Sequence, residues 1–143
     1  MSEEKVLLES QIREIYGRVV YTHKTHEKCA DVLKERNDCF KYLEIILSAL
    51  TTTSILVLIL GDGKVFQFIA ALFSTALLCL TLFSKEYNLL ALAEKHKQAA
   101  LDILEIREKL LSLLVDIRIG NIPIEDLQNK RDVLNEQLIN VYK

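Results

Sequence analysis

Two uncharged stretches decide the fold: IILSALTTTSILVLILG at residues 45–61 and VFQFIAALFSTALLCLTLFS at residues 65–84. Only Asp62, Gly63 and Lys64 separate them. An α-helix needs about 20 mostly apolar residues to cross the hydrocarbon core of a bilayer, and the accepted range starts near 17. The alternative is a soluble hairpin enclosed by other helices, but a chain of 143 residues has too few of them. The sequence therefore predicts an all-α membrane protein with a two-transmembrane helical hairpin.

Outside these stretches, helix breakers mark only one further turn, at residues 120–123, where Gly120 and the single proline, Pro123, lie. We expect one domain over residues 1–143 in six segments. They are an N-terminal cytoplasmic helix (1–41), a first transmembrane helix (42–61), an external loop (62–64), a second transmembrane helix (65–84), a second cytoplasmic stalk (85–119) and a C-terminal helix folded back onto that stalk (124–142). Both transmembrane helices are predicted to continue into the stalks, with a possible kink at Gly17, where glycine weakens a helix.

The distribution of charge predicts the orientation. Seventeen of the eighteen Lys and Arg residues lie outside the loop, and Lys64 alone lies in it. The positive-inside rule therefore places both termini in the cytoplasm and the loop outside. The net charge is −2 and no basic stripe is present, so the sequence gives no indication of nucleic-acid binding.

The stalks carry apolar residues at alternating spacings of three and four. The first stripe begins at Leu8 and the second runs through Ile103, Ile106 and Leu110 to Ile117. Stripes this broad must pack against more than one neighbour, and one subunit of this size offers too little surface to cover them. We therefore predict a homo-oligomer.

Three histidines lie on the stalks: His23 and His26, one turn apart, and His96. Counted from the ends of the two stretches at 1.5 Å per residue, His26 lies about 28 Å and His96 about 18 Å from the membrane. Direct pairing of these two within one hairpin is therefore predicted to be poor. No third metal ligand is fixed nearby, so we favour polar members of a packing seam over a metal site. We find no catalytic or cofactor-binding motif and expect no enzymatic activity.

Small and hydroxylated residues form a stripe on the second span and a cluster on the first. We consider these positions candidates for span packing or pore lining: Ser48, Thr51, Thr52, Gln67, Ala70, Ser74, Thr81 and Ser84. Such residues usually permit close helix packing in lipid, which is the preferred interpretation. They can also line a narrow water path once several hairpins assemble.

Four short motifs flank the spans: YTHKTHEK at residues 21–28, LAEKHK at 92–97, IREK at 106–109 and LLVD at 113–116. In this order and at these distances from the hairpin, the chain resembles the SLATT family of bacterial two-transmembrane effector domains. The resemblance implies an effector of nucleotide-signalling antiphage immunity that assembles in the inner membrane and permeabilises it, which arrests or kills the infected cell. The family's polar stalk positions would correspond here to His23, His26, Glu27, His96 and Arg107.

Two other functions stay open from the sequence. The chain could be a non-conducting membrane scaffold that recruits a cytoplasmic partner, or a holin-like protein that forms lesions. More than 100 residues lie outside the spans, which favours reception of a signal over a holin. We expect that signal to come from a separately encoded sensor protein or a nucleotide messenger.

Overall fold

The computed structural model describes residues 3–60 and 63–142. Four helices account for nearly all of them: α1 (Glu3–Leu60), α2 (Lys64–Tyr87), α3 (Leu89–Ile119) and α4 (Ile124–Val141). These described ranges contain no β-strand, and the predicted all-α fold with a two-transmembrane hairpin is confirmed. Of the predicted external loop, Asp62 lies outside the described residues, as does Gly61 at the end of the first span. Lys64 already begins α2.

The chain divides into two compact units. The bundle consists of residues Met1–Ala30 and Glu94–Lys143, and the hairpin consists of residues Asp31–Ala93. The bundle therefore contains the start of α1, nearly all of α3, and α4. The hairpin contains the rest of α1 and the whole of α2.

The bundle is held together by one apolar core to which all three of its helices contribute. The buried side chains keep the predicted spacing of three and four residues: Leu8, Ile12, Ile15 and Val19 on α1, Ile103, Ile106, Leu110, Leu113 and Ile117 on α3, and Leu127, Leu134 and Leu138 on α4. Lys130 of α4 also forms an ion pair with Asp116 of α3 at 3.1 Å. The C-terminal helix thus packs back onto α3, as predicted, and Gly17 leaves α1 unbroken.

The turn between α3 and α4 is fixed by glycine and by one lysine of α1. Gly120 has a φ of +80°, a left-handed conformation that glycine adopts without steric cost. Its N–H donates to the Asp116 carbonyl at 3.1 Å and so ends α3. The Lys5 ammonium donates to the Gly120 and Ile122 carbonyls at 3.4 and 3.2 Å. The beginning of α1 therefore caps the turn that lets α4 fold back.

The junction between α2 and α3 differs from the continuous helix that the sequence predicts. Asn88 adopts a left-handed conformation, with φ 35° and ψ 59°, so the predicted stalk 85–119 is divided and its first three residues complete α2. Asparagine is one of the few residues other than glycine that tolerate this conformation. Its side-chain carbonyl accepts a hydrogen bond from the Ala91 N–H at 3.2 Å. Asn88 therefore caps the first turn of α3.

We expect Asn88→Ala to weaken this junction by about 2 kcal/mol. About 1 kcal/mol comes from the lost cap and at least about 1 kcal/mol from alanine in the left-handed region. Asn88→Gly keeps the left-handed conformation without strain, and glycine is itself tolerated at a cap, so this variant should cost only about a few tenths of a kcal/mol. Hydrogen exchange of the backbone amides of residues 89–92 measures the stability of the junction in both variants. These amides should exchange faster in the alanine variant than in the glycine variant. Equal exchange rates in the alanine and glycine variants, or slower exchange in the alanine variant, would show that the left-handed conformation of Asn88 does not determine the stability of this junction.

The hairpin exposes most of its apolar surface. Helical segments beginning at Glu3 and at Lys64 are each long and apolar enough to cross a membrane, and only 6% of each apolar window is buried. The core helix of a soluble protein would instead be covered by its own chain. Near the start of the first stretch, the Phe40 and Phe83 rings meet edge to face, with centroids 5.7 Å apart. Such exposure is typical of helices that are surrounded by lipid.

Candidate functional site

The bundle brings His26 of α1 and His96 of α3 into direct contact. Their Nδ1 atoms lie 3.0 Å apart, and their ring centroids are 5.1 Å apart with the planes inclined by 47°. This is hydrogen-bonding distance for two nitrogen atoms. The prediction that these histidines pair poorly within one hairpin is therefore wrong.

The error came from the reference points used to measure height along the helices. The two apolar stretches differ in length, so their cytoplasmic ends are not level: Ile45 lies 17 residues before Asp62, whereas Ser84 lies 22 residues after it. The segment between the helices gives a common origin, since antiparallel neighbours pair at equal distances from their connection. His26 lies 36 residues before Asp62, and His96 lies 34 residues after it. Counted in this way, the two histidines are nearly level.

The third histidine, His23, lies one turn away and is more deeply buried, with 4% of its surface exposed. Its Nε2 lies 3.7 Å from Glu27 Oε1. Its Nδ1 has no hydrogen-bond partner within the described residues. Lys24 donates to the other Glu27 oxygen at 2.6 Å, and this bond, followed by the charges of His23 and Arg107, lowers the pKa of Glu27.

The fifth predicted stalk position, Arg107, does not bond to a histidine. Its Nη2 and Nε atoms donate to Glu108 Oε1 at 2.6 and 3.0 Å, and these bonds raise the pKa of the guanidinium. The predicted stalk set thus separates into a histidine pair, a His23–Glu27 contact and an arginine held by Glu108. Among the described residues, no three His, Cys, Asp or Glu side chains stand close enough to hold a metal ion.

The candidate residues on the two spans fall into two groups that differ in burial. Ala70 is buried, and Thr51 and Ser84 are partly buried. The others are exposed: Ser48, Thr52, Gln67, Ser74 and Thr81. The first group therefore packs within one hairpin, whereas the second faces outward from it.

Hydroxyl groups on the first span bond mainly to their own helix. Thr51 and Thr52 donate to the carbonyls of Leu47 and Ser48 at 2.8 and 2.9 Å, a pattern common for Ser and Thr inside helices. Ser54, which the sequence analysis left out, is buried and donates to Leu50 in the same way. Its spacing of three from Thr51 was the signal that could have found it. These hydroxyls of the first span are thus satisfied by their own helix, whereas the buried Ser84 Oγ of the second span has no hydrogen-bond partner within the described residues.

A family model described as the SMODS and SLOG-associating 2TM effector domain family 4 matches residues 8–143. The match covers nearly the whole chain and includes both apolar helices. The chain belongs to this SLATT family. Comparisons with curated proteins and with solved structures give no match. As a SLATT protein with two apolar helices, it is a two-transmembrane membrane protein and an effector.

One buried charge of this SLATT chain was missed by the sequence analysis. Glu9 of α1 is only 9% exposed, and its Oε1 accepts bonds from Arg13 at 2.7 Å and from Arg118 of α3 at 3.2 Å. These two arginines lower the pKa of Glu9. The stability that the Glu9 carboxylate contributes is therefore fully present above the usual pKa of a glutamate. It is lost as the pH falls through the lowered pKa of Glu9. The Glu9–Arg13 spacing was visible in the sequence, but the contact with Arg118 was not.

Proposed function

We propose that this SLATT protein assembles as a homo-oligomer in the bacterial inner membrane and permeabilises it when an antiphage defence system is activated. In this proposal both termini lie in the cytoplasm and the loop near Lys64 lies outside. Membership of an effector-domain family supports the coarse role of a membrane effector. The observation that supports permeabilisation is a polar line on the outside of the hairpin.

That line consists of Gln67, Ser74 and Thr81 on α2. All three are exposed, and they follow one another at intervals of seven residues, which is two turns of the helix. An unpaired amide in hydrocarbon is costly, so Gln67 favours an arrangement in which it meets water or another polar group. Assembly of several hairpins with this line facing inward supplies either environment.

Exposed apolar side chains of the bundle support assembly. Leu111, Val115 and Ile119 of α3 lie at intervals of four residues and are 43%, 50% and 60% exposed. A water-facing stripe of this kind is typical of an interaction surface. A second copy of the same chain is the proposed partner, because the stripe then becomes buried in a symmetric assembly.

Activation is proposed to come from a separately encoded sensor protein or from a nucleotide messenger. A non-conducting scaffold that recruits a cytoplasmic partner is the second candidate, because the exposed stripe of α3 suits a foreign helix as well as a second copy. A holin-like lesion former is the third. The long bundle favours regulation by a signal and so supports the effector over the holin.

The test is membrane potential in living bacteria that carry the complete defence system. Cells are stained with a potential-sensitive dye and infected, and matched cells lacking this gene serve as the control. We expect depolarisation after infection only in cells with the gene. A membrane that stays polarised while defence succeeds would reject permeabilisation and support the scaffold.

A further inference from the structure

The His26–His96 contact has room for only one proton between its two facing nitrogen atoms. At 3.0 Å, one Nδ1 must donate and the other must accept. The contact can be kept when both rings are neutral, and when one ring is charged and donates. When both rings are protonated, two N–H groups and two positive charges face each other across the same gap. The doubly protonated state is therefore incompatible with the closed pair.

The groups around the pair do not compensate a second positive charge. Among the described ion pairs, none joins a carboxylate to His26 or His96. Glu27, the nearest acid on α1, is already bound by Lys24. The other titratable groups within two turns of either ring along its own helix are Tyr21, His23, Lys24, Lys28, Cys29 and Asp31 on α1, and Glu94, Lys95, Lys97 and Asp102 on α3. At the end of α4, the Tyr142 hydroxyl meets Thr22 at 3.4 Å. Lysines and carboxylates, Glu27 included, are equal in number along these segments, so the surroundings supply no excess of negative charge to offset protonation of both rings.

Among the described residues, no large apolar side chain of α1 or α3 is buried at this level of the bundle. The last large buried apolar residues on this side are Val19 of α1 and Ile103 of α3. Beyond them, near the pair, the buried positions are His23 of α1 and the small residues Ala100 and Ala93 of α3. The final helical residue of α4 is Val141, and Tyr142 reaches only as far as Thr22. The histidine pair therefore lies where the three-helix core has ended, and local opening there disturbs little buried apolar surface.

We infer that His26 and His96 form a proton-operated latch, closed at neutral pH, whose double protonation releases α1 from α3 at this end of the bundle. Burial, and then the charge of His96, lowers the pKa of His26. A histidine with a lowered pKa in the closed state binds protons more readily after opening. The stabilisation by the latch is therefore complete above the ordinary histidine pKa of about 6.5 and is lost as the pH falls below it. The inference concerns the bundle alone and holds whether or not the assembly conducts ions.

Hydrogen exchange of the full chain in lipid nanodiscs tests the latch. Rates at pH 7.5 and pH 5.5 are compared after correction for the intrinsic effect of pH on exchange. We expect peptides covering residues 22–30 and 94–100 to lose protection on acidification, by about tenfold for each pKa unit separating the closed and open states. Peptides covering residues 103–117 serve as the internal reference and should change far less.

Two variants identify the histidines that cause the loss of protection on acidification. The double variant H26Q/H96Q carries no proton-binding ring at either position, so its exchange in residues 22–30 should no longer respond to this change of pH. The matched variant H23Q removes the neighbouring histidine, keeps the pair, and should retain the response. An unchanged acid response in H26Q/H96Q, or a flat response in the wild type, would overturn the latch.

A second measurement in the wild type covers the case in which the double variant fails to fold. Imidazole 15N shifts of selectively labelled histidine follow the protonation of each ring. We expect His26 to titrate below the usual histidine range. Titration of His26 at the usual histidine pKa of about 6.5 or above it would contradict the inference.

Discussion

Replacing Gln67, Ser74 and Thr81 together by leucine is expected to abolish depolarisation of infected cells. The three side chains are exposed and lie along one line of α2. Leucine at these positions removes every polar group from that line, and an apolar constriction excludes water and ions. Leucine also inserts favourably into a bilayer, so the variant should reach the membrane. The expected result is a dye signal at the level of cells that lack the gene.

A matched variant separates the line from a general effect of added leucines. Thr53, Thr75 and Cys79 are also small or polar exposed residues of the spans, and the two on α2 lie on a different face from Gln67. Thr53→Leu, Thr75→Leu and Cys79→Leu together should leave depolarisation intact. If both triple variants depolarise cells, the line of Gln67, Ser74 and Thr81 does not line the path through which the membrane is permeabilised.

Leu127→Ala is expected to detach α4 from the bundle. Leu127 has no exposed surface, and truncation of a fully buried leucine costs about 2–5 kcal/mol because a cavity remains. Leu127 packs in the core that joins α4 to α1 and α3. The loss should therefore fall on the whole helix rather than on one turn. Protection of the α4 amides against hydrogen exchange should fall by roughly 30-fold or more.

Ile139→Ala is the control for this substitution. Ile139 also lies on α4, but half of its surface is exposed, and substitutions at such positions usually change stability by less than about 0.5 kcal/mol. Both variants are measured as full chains in the same nanodiscs. Equal protection of α4 in the two variants would show that Leu127 does not anchor the helix.

Local periodicity in the sequence was enough to predict most of the fold. Apolar residues at three- and four-residue spacing identified the core positions from Leu8 to Val19 and from Ile103 to Ile117, because a helix places such residues on one face. The length of the apolar stretches predicted the hairpin. Gly120 and Pro123 predicted the last turn, since one ends a helix and the other suits the start of the next.

The contacts that make the candidate site depend on residues far apart in the chain. His26 and His96 are separated by 70 positions, and Glu9 and Arg118 by 109, so no local pattern connects them. The pairing could have been predicted by counting from the connection between the helices rather than from the ends of the apolar stretches. Asn88 was missed because only glycine and proline were considered as interruptions, although asparagine also adopts left-handed backbone.

Cysteine accessibility tests the central claim, a hairpin that crosses the membrane twice, most directly. The three native cysteines, Cys29, Cys39 and Cys79, are replaced by alanine, and single cysteines are introduced by K64C at the connection and N140C on α4. Intact spheroplasts are treated with a membrane-impermeant maleimide. The account predicts that K64C is labelled at once and that N140C is labelled only after lysis. Labelling of K64C only after lysis, or of both sites in intact spheroplasts, would contradict the two-span hairpin with both ends inside.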